Sequence, residues 1–123
     1  MTRILVVDDD PELLDALGLA LRTSGYDVEV AKNGQQAMRH ATQGSPVDLV
    51  LTDIVMPEKE GLQLIVELRR ARPALKIIAM SGGGTYGNDT YLNYARVLGA
   101  HATLPKPFPA DTLLRAVADV LSG

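Results

Sequence analysis

Arg3-Ile4-Leu5-Val6-Val7-Asp8-Asp9-Asp10-Pro11 is the stretch that decides the fold: an apolar, β-branched run stops at three carboxylates, and a proline follows them. Such a run reads as a short strand, Asp10 as a helix cap and Pro11 as a first-turn residue. Leu13, Leu14, Leu17 and Leu21 continue at helical spacing, and Gly25 marks a C-terminal stop. The unit is a strand feeding a helix, and it repeats. Tyr26–Ala31 reads as a second strand, and Asn33-Gly34 opens a helix with Ala37, Met38 and Ala41 as its buried stripe. Gly44-Ser45-Pro46 closes that helix. Val47–Thr52 reads as a third strand, Gly61–Arg72 as a helix carrying Leu64, Ile65 and Leu68 on one face, and Leu75–Met80 as a fourth strand. After a glycine-rich stretch, Tyr91, Leu92, Ala95 and Leu98 mark a fourth helix ending at Gly99. His101–Leu104 is a short fifth strand, and Leu113, Leu114, Val117, Val120 and Leu121 line a last helix. Strands alternating with helices imply a parallel sheet covered on both faces, because each parallel pair needs a helical crossover. The expected fold class is α/β and doubly wound.

Composition narrows the function. The chain has 123 residues, 12 Lys+Arg against 15 Asp+Glu, and no Cys, which fits one domain with a core that needs no disulfide. Thiol catalysis and zinc–thiolate sites are excluded, and the expected compartment is the cytoplasm. Ile4-Leu5-Val6-Val7 is too short for a signal-peptide core or a membrane span. Mild acidity, the lack of a basic run and an aromatic content of 4% argue against nucleic acid as the direct partner.

In doubly wound sheets, functional groups gather at the carboxyl ends of the strands. Here those ends carry Asp8-Asp9, Asp53, Ser81 and Lys106. Carboxylates converging at one edge repel unless a cation neutralises them, and a hard divalent ion such as Mg²⁺ suits oxygen ligands. Asp53 is the candidate nucleophile toward a phosphoryl group, Lys106 offers an ammonium to a phosphoryl oxygen, and Ser81 offers a hydroxyl. Asp10 reads as a cap only. His40 and His101 lack clustered partners at metal-ligand spacing and read as surface or helix-end residues. Met56-Pro57 reads as a stiff structural loop.

Four segments together carry a family resemblance: Ile4-Leu5-Val6-Val7-Asp8-Asp9-Asp10, Asp48-Leu49-Val50-Leu51-Thr52-Asp53-Ile54-Val55-Met56-Pro57 with Gly61 beyond, Ala79-Met80-Ser81-Gly82, and Lys106-Pro107-Phe108. The chain resembles the receiver domains of two-component response regulators, chemotaxis receivers among them, over essentially its whole length. The resemblance implies a flavodoxin-like sheet of order 2-1-3-4-5 with five helices, and one receiver domain over residues 1–123. It implies that Asp53 accepts a phosphoryl group from a sensor histidine kinase or a histidine phosphotransfer protein. Asp9, Asp53 and the carbonyl of Val55 would bind Mg²⁺ directly, with Asp8 acting mostly through water. Ser81 and Lys106 would bind the phosphoryl oxygens, and the Lys106-Pro107 bond would be cis. The domain would catalyse only its own phosphorylation and dephosphorylation, and would signal to a downstream protein as a monomer or weak dimer. One position departs from the family: Thr103 stands where receivers place a switch aromatic. Tyr86, Tyr91 and Tyr94 are candidate replacements, though surface packing of the fourth helix is the plainer reading.

The glycines of Ser81-Gly82-Gly83-Gly84-Thr85-Tyr86-Gly87 predict a mobile loop that settles on phosphorylation. Gly82–Gly87 also fits the dinucleotide fingerprint G-x-G-x-x-G, but it follows the fourth strand rather than the first, and Lys106 stands where an acid for a ribose would be wanted. An Mg²⁺-dependent phosphatase would share the Asp53 chemistry. Such enzymes generally carry a second acid two residues on, where this chain has Val55.

Overall fold

The computed structural model describes residues 1–44, 46–54, 61–82 and 88–123, with side chains from residue 93 onward in the last of these segments. Val55, Met56-Pro57, the loop through Tyr86 and the Tyr91 side chain lie outside the described residues. The elements run β1 (Arg3–Val7), α1 (Pro11–Thr23), β2 (Asp27–Ala31), α2 (Gly34–Gln43), β3 (Leu49–Asp53), α3 (Gly61–Ala71), β4 (Lys76–Ser81), α4 (Asn88–Leu98), β5 (Ala102–Pro105) and α5 (Ala110–Ser122). All strand pairs are parallel, and the sheet order is β2-β1-β3-β4-β5. This is the doubly wound parallel sheet that the residue pattern implied, in the order 2-1-3-4-5 that the family resemblance implied.

Strand alternation sorts the apolar residues into two layers. Leu5, Val7, Val50, Ile77 and Ala79 meet Ala37, Ala41, Leu64, Ile65, Leu68 and Ala95 on the side of α2, α3 and α4. Ile4, Val6, Leu49, Leu51, Ile78 and Met80 meet Leu14, Leu17, Leu21, Leu113, Val117 and Val120 on the side of α1 and α5. β1 and β3 are apolar on both faces because both are covered, as central parallel strands require.

The caps explain the helix starts. Asp10 accepts from the backbone N–H of Glu12 at 3.0 Å and of Leu13 at 3.4 Å, and Asn33 accepts from that of Gln36 at 2.8 Å. Gly25, at φ +96°, turns the chain out of α1. Boundaries shift where hydrogen bonding overrides composition. β3 starts two residues later than the apolar run and reaches Asp53, which pairs with Met80; β4 likewise extends to Ser81. In α4 the inward line runs through Ala95, leaving Leu98 at its margin, 37% exposed, rather than in the buried stripe.

Candidate functional site

Parallel register assembles the site. Val7 of β1 pairs with Thr52 of β3, so Asp8 and Asp53, each one residue further, stand level at the carboxyl edge. Asp53 pairs with Met80 on β4, and Ser81, the next residue, pairs with Pro105, which immediately precedes Lys106. Alternation then selects the face. The parity that sends Ile4 and Val6, Leu49 and Leu51, and Leu104 toward α1 and α5 also carries Asp8, Asp53 and Lys106. Three residues separated by up to 98 positions therefore meet.

The Lys106 ammonium Nζ lies 2.7 Å from Oδ2 of Asp8 and 3.5 Å from Oδ2 of Asp53. Asp8 and Asp53 are buried, so their charges are weakly screened by water. Burial alone lowers the Lys106 pKa, but the hydrogen bond it donates to Asp8 and the charges of Asp53 and Asp8 outweigh it, and the group is held above its ordinary value. The ammonium is thus charged. Asp8 also receives the backbone N–H of Asp10 on Oδ1 at 3.0 Å, so both its oxygens are engaged.

Asp8, Asp9 and Asp53 each bring a carboxylate oxygen within 4.8 Å of the others. At that separation two buried carboxylates repel by about 3 kcal/mol at an effective dielectric of about 20. Lys106 neutralises one charge, which leaves the cluster net negative. An all-oxygen donor set, two members buried and Asp9 facing solvent, fits a hard divalent cation that retains part of its water shell.

Ser81 is buried, its hydroxyl 3.3 Å from the Gly82 carbonyl, and its own carbonyl accepts the backbone N–H of Lys106 at 2.7 Å. The Lys106-Pro107 peptide bond is cis. Thr103 has the opposite parity to Lys106 and meets α4, its hydroxyl accepting from Arg96 at 2.9 Å. Tyr94 is 57% exposed on α4. Sequence reasoning missed Arg96 as the partner of Thr103, because only the packing of α4 beside β5 places them together. It also underrated Gly61: an added Cβ there would collide with the backbone carbonyl of Asp53 and with Ile54, so the start of α3 is pressed against the Asp53 peptide.

Residues 4–118 match the family model described as the response regulator receiver domain. The transcriptional regulatory protein GlrR of Escherichia coli K12 is 36% identical over 118 residues, 96% of this chain and 26% of that protein. Among solved structures, a CheY-like response regulator receiver domain protein from Methanospirillum hungatei superposes with a TM-score of 0.90 at 30% identity, covering 99% of this chain and 94% of that one. The response regulator TrrA from Thermotoga maritima, solved in complex with Mg²⁺-BeF, gives a TM-score of 0.85 at 32% identity over 98% of this chain and 100% of that one. This chain spans about a quarter of the length of GlrR.

Proposed function

The chain belongs to the response regulator receiver domain family of two-component systems, and on that premise we propose that Asp53 is the residue phosphorylated. A carboxylate oxygen of Asp53 attacks phosphorus, the P–N bond of a phosphohistidine donor breaks, and the departing imidazole keeps the bonding pair. The donor is a sensor histidine kinase or a histidine phosphotransfer protein. Asp9 and Asp53, with the carbonyl of Val55 and with Asp8 through water, are the residues to hold Mg²⁺, which when bound offsets the charge on the phosphoryl oxygens. Lys106 exchanges its contact with Asp53 for a phosphoryl oxygen, and the Ser81 hydroxyl donates to another.

The observation that carries this reading is the Lys106 ammonium bridging Asp8 and Asp53 at 2.7 and 3.5 Å beside an exposed Asp9. A candidate nucleophile, a candidate cation site and a positive charge thus share one sheet edge, which supports the reading. Residues 1–123 act as one receiver module that catalyses its own phosphorylation and dephosphorylation and turns over no separate substrate. Its output is a shifted population of conformations read by a downstream protein, in the cytoplasm. The domain itself makes no direct nucleic-acid contact, as its acidity suggests. Among the described residues no helix is long and apolar enough to cross a membrane.

Intact-mass spectrometry after exposure to acetyl phosphate tests the reading. A single phosphoryl adduct that is lost in Asp53→Ala and lost with EDTA is the expected result. An adduct that persists in Asp53→Ala would overturn the assignment.

A further inference from the structure

The sheet end opposite the carboxylates holds a second cluster, which phosphoryl chemistry does not use. His101, the residue before β5, accepts the backbone N–H of Ile77 on Nδ1 at 3.1 Å. A backbone amide can only donate, so Nδ1 carries no proton and the ring is the neutral Nε2–H tautomer. Arg69, in the last turn of α3, brings Nη2 within 3.1 Å of the same Nδ1 and 2.7 Å of the Gly99 carbonyl, while its Nη1 donates to the carbonyl of Pro73. Gly99 sits at φ +125°, and a Cβ there would lie 2.8 Å from Nε of Arg69. The guanidinium is therefore seated against a turn that glycine alone accommodates. Through His101 and Arg69, the end of α3, the turn between α4 and β5, and the start of β4 are stapled together.

We propose that His101 is a proton-operated latch on the α4–β5 corner: neutral, it closes the staple; protonated, it releases Arg69 and the Ile77 amide and loosens the corner. An imidazolium has two N–H donors and no lone pair, so Nδ1 can no longer accept the Ile77 amide, and Arg69 Nη2, 3.1 Å from Nδ1 and 3.5 Å from Nε2, faces a ring of like charge. The new charge would face Arg69 from α3 and Lys76 from β4. Asp119 of α5, which lines a cleft of about 380 Å³ with His101, Lys76 and Gly123, brings an opposing charge to that cleft. Arg96 of α4 is directed instead to Thr103. Burial first, then Arg69 and Lys76, hold His101 below the ordinary histidine pKa, in keeping with a closed latch at neutral pH. β5 is only four residues long and leads directly into Lys106, so its anchored end and its phosphoryl-binding end belong to one short rod.

The test is an NMR titration from about pH 8 to about pH 5, following the ring ¹⁵N shifts of His101 and the protection factors of the Ile77, Ala100 and His101 amides, with β1 amides as reference. The expected result is a loss of Nδ1 lone-pair character coincident with a roughly tenfold fall in corner protection, β1 staying protected. His101→Asn, whose Oδ1 can accept as Nδ1 does but cannot titrate, is expected to keep the corner protected throughout. His101→Leu, with no acceptor, is expected to lack that protection at every pH. Unchanged corner protection as the wild-type ring titrates would overturn the proposal, as would an identical acid transition in His101→Asn.

Discussion

At the residue scale, Lys106 and Asp8 are a part-buried charge pair whose value lies in what each prevents. Remove the ammonium, and Asp8 and Asp53 face each other with Asp9 alongside. Lys106→Ala is therefore expected to bind Mg²⁺ as well as or better than wild type, since the cation takes over the neutralisation, but to lose the coupling between phosphorylation and the rest of the domain. Mg²⁺ titration, together with amide shifts on adding beryllofluoride, checks this; a wild-type pattern of shifts in β5 would count against the role given to Lys106. Asp53→Asn keeps the shape and removes the nucleophilic charge, so it should show no phosphoryl adduct by mass while remaining folded by circular dichroism. The carboxylates and the lysine were legible in the sequence because each ends an apolar run. Gly61 was not, because its role is set by a peptide plane from another segment.

At the element scale, helix starts are local and predictable, whereas the seating of helices on the sheet is not. Asp10 caps α1 through two backbone N–H groups, so Asp10→Ala should lower unfolding stability by about 1 kcal/mol in denaturant titrations, and Asp10→Asn by much less. Gly61→Ala should cost more, about 1–3 kcal/mol, because the added methyl group meets backbone at the end of β3 rather than a side chain that can swing away. It should also slow phosphorylation by acetyl phosphate, since relief of the collision moves Asp53. The α1 cap was readable from Asp10-Pro11. The partnership of Arg96 and Thr103 depends on α4 lying beside the edge strand β5, which no pattern within either element reveals.

For the whole molecule, two coupled equilibria set stability. If Mg²⁺ binds the native Asp8, Asp9 and Asp53 cluster, as proposed, the unfolded chain does not preserve that cluster, so at a concentration about a hundredfold above Kd the ion should add about 2.7 kcal/mol, read as a rise in Tm that EDTA reverses. Protons act at the other end of the sheet. His101 has a native pKa below its ordinary value of 6.5, so on acidification the unfolded chain takes up the proton first. Stability should be intact above about pH 6.5, fall as the pH drops below it, and level off beneath the native pKa. Denaturant midpoints across that range check the sign, and His101→Asn should flatten that contribution.

What the sequence determined by itself was the order of elements, their parity and the chemical inventory at the strand ends, because hydrophobic period, caps and turn residues act over a few neighbouring positions. It thereby specified a doubly wound sheet with Asp8, Asp9, Asp53, Ser81 and Lys106 at one edge. Tertiary structure alone decided which of these touch: register made Asp8 and Asp53 level, and the pairing of β4 with β5 delivered Lys106 to both. It also made His101, exposed as the sequence implied, the acceptor of the Ile77 amide at the α4–β5 corner. The physical reason is the same in both places. Hydrogen bonds and ion pairs between distant segments depend on ångström-scale distances that local preference does not encode, and these appear only when packing has chosen one register for the whole sheet.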